Sequence, residues 1–330
     1  MDITQHHNKR HWLNKKKQHS ERLLSSIDSA NKRSKKAFTE ERIQRIAPLM
    51  LSNYWNLFTD AVMLDWPKKH CMWLLYQATD FGRMHFRMHL SPNKLTPVEL
   101  ASELVILTPT PVGKHHYSSA HTWLDAAIAA TLCKESFIVD ELQAYPVHFL
   151  DEAAGVHRNF EVHKAFFHFY KLFYSNTHDK QQQTDALRAV MQYAEHGKIE
   201  QLTSIEAEVS FHFLEYSVVS VIASMWKLQR SSLSDATTEA IKASYEYYAD
   251  LLPREPGEPV GKDSMGLYRG SAMLLRRLLG VLAFHHQTTG EVPEFESDYI
   301  PSWLIKGEIP SRQAVLFDSP PEFTLAGIGL

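Results

Sequence analysis

Histidine is the residue type most able to do chemistry in this chain of 330 residues, which carries 19 of them. Three fall in the stretch "VHRNFEVHKAFFHF" (156–169), where metal ligation, acid–base catalysis and an ordinary helix compete as readings. On a helix, His157 and His163 lie about 240° apart around the axis, and His163 and His168 about 140°. His157 and His168 share a face but are roughly 16 Å apart along it. No pair of them closes on one ion. Val162, Phe166, Phe169, Tyr170 and Phe173 instead form a stripe at i, i+4, i+7, i+8 and i+11, the pattern of an amphipathic core helix. Phe166 and Phe169 are expected to hold the fold, while His157, Glu161 and His168 share a more polar side.

"RMHFRMH" has better geometry. His85 and His89 stand at i, i+4, the spacing that lets two imidazoles bind one zinc ion. The glutamate of the metalloprotease motif is missing, and Arg83 and Arg87 add positive charge where a cation would sit. "GKHHYSSAH" (113–121) offers a third ligand with nothing to fix it in space. The His178-Asp179 pair matches the start of an HD-type phosphohydrolase motif but lacks the further ligands such a site needs. Phosphate-binding glycine loops, a GxSxG elbow and CxxC pairs are all missing. The residues therefore indicate no catalytic group, no metal ligand set and no cofactor, and the chain is not expected to be an enzyme. A helical metal-dependent hydrolase using His85 and His89 stays open as the alternative.

The elements that must position these residues are helical. Candidate helices cover 9–33, 41–64, 67–90, 118–132, 135–144, 158–175, 180–196, 234–251 and 264–286. "TPVELASELVIL" reads as another, with Thr96 as N-cap, Pro97 at N1 and Glu99 completing a capping box. "TSIEAEVSFHFLEYSVVSVIASMWKLQR" repeats that logic with Thr203 and Glu206, and Glu206 and Glu208 in the first turn. It is apolar on nearly every side, so a central, buried helix is expected. No period-2 strand stands out. Residues from 287 onward, with five prolines, read as an irregular tail.

The expected fold class is all-α: a multi-helix bundle or stacked helical-hairpin array. The expected organisation is a basic helical arm over 1–36 and one helical domain over 37–330, with a sub-boundary near 108–117. Cys71 and Cys133 sit in apolar surroundings and are expected to be buried free thiols. No signal peptide or apolar run of membrane-spanning length is visible, which points to the cytoplasm and away from a membrane.

Charge is unevenly spread. Residues 1–45 hold 12 of the 35 Lys and Arg and 5 of the 38 Asp and Glu, leaving an acidic body with 23 basic and 33 acidic residues. The arm reads as a solvated amphipathic helix or, with "KRHWLNKKK" and "NKRSKK", as a phosphate-binding segment. Nucleic acid is the disfavoured partner, because no aromatic platform accompanies the clusters and the body is acidic. The acidic body suits a basic protein partner.

Two segments carry a family resemblance. "SAHTWLDAAIAATLCKESFIVDELQAYPVHFL" contains Trp123, Asp125 and Ala127 in an alanine-rich helix. "EVPEFESDYIPSWLIKG" contains Asp298, Tyr299, Pro301, Trp303 and Leu304 after a final helix. In this order they resemble the immunity 49 family of bacterial polymorphic toxin systems, over roughly 118–306. The resemblance implies a mostly helical protein that binds and neutralises a cognate toxin, by stoichiometric occlusion of a basic active-site cleft. The toxin would act in the cytoplasm and be delivered in interbacterial competition, for instance by type VI secretion. Toxin contact is expected from Glu206, Glu208, Glu215, Glu294, Glu296 and Asp298. "HHQTTGEVP" and the basic arm depart from the family pattern and leave the toxin class and binding face open. Tyr299, Ile300, Trp303 and Leu304 are expected either to anchor the tail, with Asp298 capping the turn, or to support acids offered to the toxin. Deleting residues 1–36 is expected to spare toxin protection.

Overall fold

The computed structural model describes residues 3–5, 9–39, 43–90, 96–100, 103–107, 119–147, 160–202, 205–249 and 270–330. The chain divides into two compact units, one comprising Lys9–Val156 with Gly307–Leu330, the other Met1–Asn8 with His157–Lys306. This replaces the expected single domain. The division falls at 156/157 and 306/307 rather than near 108–117, so residues 118–306 extend over both units.

The first unit is built on α1 (Lys9–Asn14), α2 (Lys16–Thr39), α3 (Ile43–Met63) and α4 (Lys68–Leu90). After α4 come β1 (Thr96–Leu100) and β2 (Glu103–Leu107), then α5 (Ala120–Leu132) and α6 (Ser136–Gln143). α2 packs on α3, α3 on α4, α4 on α5, and α5 on α6. Ser20, Leu23, Ile27, Ala30 and Ser34 line the buried face of α2, at helical spacing. Tyr54 of α3 donates to Asn31 at 2.6 Å and Trp66 to Ser20 at 3.0 Å. The basic arm is therefore part of the α4 unit's core. Its removal would expose α3, so deleting residues 1–36 probes the fold of this unit together with any partner binding.

α4 and α5 approach closely because small residues face each other. A Cβ on Gly82 would lie 2.8 Å from the Cβ of Ala126. Trp123 and Ala127 are fully buried, and the Trp123 indole donates to Leu142 O at 2.9 Å. Trp55 donates to Asp125 O at 3.0 Å. The first resemblance motif is thus a packing motif. Both cysteines are free and buried, as expected.

Residues 96–100 and 103–107 pair as antiparallel strands in place of the expected capped helix, with Val98 opposite Val105 and Glu99 opposite Leu104. The capping signals of Thr96, Pro97 and Glu99 lose to β-branched Val98, Val105 and Ile106, which are stiff at χ1 and favour a pleated strand. This is the only sheet among the described residues, and the fold class is all-α.

The second unit holds α7 (Phe160–Tyr174), α8 (Lys180–Met191), α9 (Lys198–Leu202), α10 (Ile205–Ser210) and α11 (Tyr216–Met225). These are followed by α12 (Leu233–Ala249), α13 (Gly270–Met273), α14 (Arg276–Thr289) and α15 (Ser302–Ile305). Val162, Phe166, Phe169, Tyr170 and Phe173 of α7 are buried, confirming the stripe. His168 and Glu161 are exposed, while His157 lies outside the described residues. The expected long helix over 203–230 is interrupted by a π-helical turn at Phe211–Glu215. α11 is nonetheless buried along Val218, Val219, Val221 and Ile222 and packs on α12 and α14. Among the described residues, no helix is long and apolar enough to cross a membrane.

Candidate partner-binding surface

The charged residues singled out above meet three different fates. Glu208 is buried, and its carboxylate accepts from the backbone N–H groups of Gly197 and Glu200, each at 2.7 Å, with His196 Nδ1 at 2.9 Å. The two backbone donors, with His196 beside them, hold its pKa down to about 2. Glu208 is an internal cap for the start of α9. Glu215 is buried at the end of the π turn, where it pairs with Arg277 and accepts from the Tyr170 hydroxyl at 3.2 Å. Neither is available to a partner, which corrects the expectation for both. The side chain of Glu206 lies outside the described residues.

Glu294, Glu296 and Asp298 lie in the segment between α14 and α15. Gly290, at φ 81°, ends α14 by donating to His286 O. The chain then cannot continue as helix, because Pro293 and Pro301 punctuate it. It is pinned instead by scattered bonds. Glu294 N donates to Ser234 Oγ at 2.9 Å, Asp298 N to Thr4 O at 3.0 Å, and Leu275 N to Tyr299 O at 3.1 Å. Tyr299, Ile300, Leu304 and Ile305 are buried, and Trp303 is half-buried. The motif is therefore an anchor. The N-cap of α15 is Pro301 without a side-chain bond, and Ser297 Oγ accepts from Tyr299 N at 3.2 Å at the turn where Asp298 was expected as the cap.

The anchored segment shapes a pocket of ≈ 280 Å³. Val292, Pro293, Phe295 and Ile305 supply its apolar lining, with Glu294, Glu296, Ser302 and Lys306 around them. Glu294 and Glu296 are exposed, and Asp298 is half-buried. Glu296 accepts from Ser302 Oγ at 3.0 Å and has Lys306 Nζ at 4.0 Å. An exposed ion pair at that distance contributes little, so Lys306 leaves Glu296 free to exchange partners. Of the six acids named from sequence, the structure brings Glu294 and Glu296 together at one concavity. Sequence reasoning missed Phe295 and Lys306 there. The signal was available in "EVPEFES", whose acids alternate with apolar residues.

Among the described residues, the candidate metal and catalytic groups do not assemble. His85 is fully buried with its ring edge-on to Phe86, and the side chain of His89 lies outside the described residues. Arg83 and Arg87 both bond Glu141, at 2.7 to 2.8 Å. Burial raises the Glu141 pKa, but the two guanidinium groups overcome this and leave it lowered. Asp179 accepts from Gln181 N and Gln182 N and so caps α8, while His178 is exposed beside it. Among the described residues, no three His, Cys, Asp or Glu side chains are placed to hold a metal.

One further cluster was not foreseen. In the α4 unit, Arg312 bonds both carboxylate oxygens of fully buried Asp80, at 2.6 and 2.7 Å, with Glu135 at 3.7 Å. Burial pushes the Asp80 carboxyl up to about 7 against the pull of Arg312. The chain matches no protein-family model, no curated protein and no solved structure.

Proposed function

We propose that this chain is an immunity protein that binds a cognate bacterial toxin and neutralises it stoichiometrically, by covering a basic active-site cleft. Occlusion would take place in the cytoplasm, where a nuclease, an NAD-degrading enzyme or an ADP-ribosylating enzyme finds its substrate. The observation that carries the reading is the 292–306 segment. The residues of the second resemblance motif bury themselves as an anchor, and the segment they hold offers Glu294 and Glu296 beside an apolar pocket. Exposed acids around a half-buried aromatic floor suit a basic protein surface: charge speeds encounter and selects the partner, while buried aromatic contact slows release.

The test is co-expression with the toxin domain encoded next to this gene. The wild-type chain restores growth, co-purifies with the toxin, and titrates its activity to an end point near one equivalent. The double variant Glu294→Lys/Glu296→Lys keeps its fold, since both side chains are exposed, and loses protection. Rescue at far below equimolar protein would overturn the reading in favour of an enzyme that repairs toxin damage. Association should also slow as salt rises; a rate indifferent to salt would remove the steering part.

A further inference from the structure

Residues 307–330 follow the second unit in the chain yet belong to the α4 unit. They enter it at Gly307, at φ +65°, where a Cβ would lie 2.7 Å from Lys134 Cδ. No other residue makes this entry without strain. The segment then climbs α4. Lys68 Nζ donates to Glu308 O at 3.4 Å, the Tyr76 hydroxyl donates to Pro310 O at 3.2 Å, and Arg312 reaches Asp80. The Arg312 guanidinium also lies over the Tyr76 ring, 5.4 Å from its centroid.

Past a π-helical turn at Ala314–Asp318, which buries Val315 and Leu316, the segment returns to the start of α4. His70 Nε2 lies 3.0 Å from Glu322 O. The Phe323 ring centroid lies 4.9 Å from that of Trp73, 5.4 Å from His70 and 6.5 Å from Trp66. A Cβ on Gly327 would lie 2.1 Å from Glu322 O, so the final turn closes directly on the carbonyl that meets His70. The segment therefore holds α4 at two places, a charged anchor at Asp80 and an aromatic anchor at Phe323. They are separated by roughly 15 Å of helix.

The two anchors are unlike the ground they cover. α3 and α4 are helices of 21 and 23 residues with fully buried Trp55, Phe58 and Phe81. The covering segment has a π-helical turn and a final turn, and its buried apolar side chains are Val315, Leu316 and Ile328. Segments with few buried contacts open below the free energy of global unfolding, in contiguous pieces. The two anchors are joined through the chain between them: the π turn links Phe323 to Arg312, and Arg312 is the guanidinium that bonds Asp80 and lies 3.7 Å from Glu135. We propose that residues 307–330 are a two-point clasp that opens and closes on α4 as one cooperative piece, separately from the helices beneath. Closed, Arg312 is the resident ligand of a guanidinium receptor made by Asp80, Glu135 and the Tyr76 face. Open, the clasp bares that receptor together with Trp66 and Trp73.

Hydrogen exchange on the full-length chain tests this. Val315 N, bonded to Ser311 O, reports the charged end, and Ile328 N, bonded to Thr324 O, reports the aromatic end. Both should exchange faster than α3 in the wild-type chain. Phe323→Ala should speed exchange at Val315 as well as at Ile328, by about tenfold or more, and leave α2 and α3 unchanged. Arg312→Gln should do the converse; if it costs the protection of α3, Tyr76→Phe removes the bond to Pro310 and serves instead. Acceleration confined to the mutated end would overturn the proposal, as would clasp amides that exchange only together with α3.

Discussion

Gly82 stands where α4 and α5 come closest, and its replacement by alanine sets two effects of opposite sign against each other. Alanine is the better helix former, worth about 1 kcal/mol over glycine inside a helix. Against that, the new Cβ would lie 2.8 Å from Ala126 Cβ, 3.3 Å from Ala126 Cα and 3.5 Å from Leu51 Cδ1. The first two are atoms of a packed helix, not the end of a flexible side chain, so α5 must move as a body. Its buried face, from Trp123 to Leu132, would move with it. Overpacking of this kind costs about 1–3 kcal/mol, and backbone involvement places Gly82→Ala near the upper end. The expected net loss is about 2 kcal/mol after the propensity gain. Five of the seven tryptophans (12, 55, 66, 73 and 123) belong to the α4 unit, so urea unfolding followed by tryptophan emission reads chiefly this unit. The double variant Gly82→Ala/Ala126→Gly exchanges the two small faces and should recover at least about 1 kcal/mol relative to the sum of the singles. A stabilised Gly82→Ala, or a double variant equal to that sum, would refute the argument that contact distance and not propensity governs this crossing.

Three more outcomes follow from buried polar groups. Asp80 has its folded pKa raised from 3.8 to about 7, so its contribution is full below 3.8 and is lost as pH rises through 7; Asp80→Asn should flatten the wild-type decline between about pH 4 and about pH 7, and an unchanged slope in urea midpoints would contradict this. Glu208 is the opposite case, lowered from 4.5 to about 2, so its contribution is present above 4.5 and is lost as pH falls through 2. Glu208→Gln should therefore melt lower than wild type at neutral pH, with the gap closing in acid, and equal melting temperatures at neutral pH would exclude the internal cap. Trp123→Phe takes one donor from the Leu142 carbonyl, which the backbone N–H of Tyr145 also meets at 3.1 Å; a loss of about 0.5–1.5 kcal/mol in chemical denaturation is expected, and a neutral result would mean that the indole bond adds nothing beyond the backbone one.

Much of the helical order was legible because periodicity is a local property. The segments read as 67–90, 118–132, 158–175 and 234–251 are observed as Lys68–Leu90, Ala120–Leu132, Phe160–Tyr174 and Leu233–Ala249. Where local signals conflicted, the reading failed. Thr96, Pro97 and Glu99 say helix start, while Val98, Val105 and Ile106 say strand. The pairing of Val98 with Val105 decides it, a contact that no helix template contains. The division into units was illegible for a related reason. Periodicity tells which face of α4 is buried but not what covers it, and part of the cover arrives more than two hundred residues later, as Arg312 and Phe323.

The acidic residues show how the candidate surface had to be narrowed. A carboxylate in the first turn of a helix reads from sequence as surface charge aligned with the helix dipole. The same carboxylate can turn inward and serve the backbone donors of a neighbouring helix start, as Glu208 does at Gly197 and Glu200. Glu215 is lost to the surface in another way: the π turn closes on it, and Arg277 and Tyr170 take up its oxygens. Acids on packed helices thus compete with internal demand for their charge. Glu294 and Glu296 stay exposed because prolines keep their segment from becoming helix and its backbone is tied down by Ser234, Thr4 and Leu275, with the Ser302 hydroxyl and Lys306 near Glu296. A segment held in place by its backbone, with its charges left outward, is the arrangement a protein-binding surface requires.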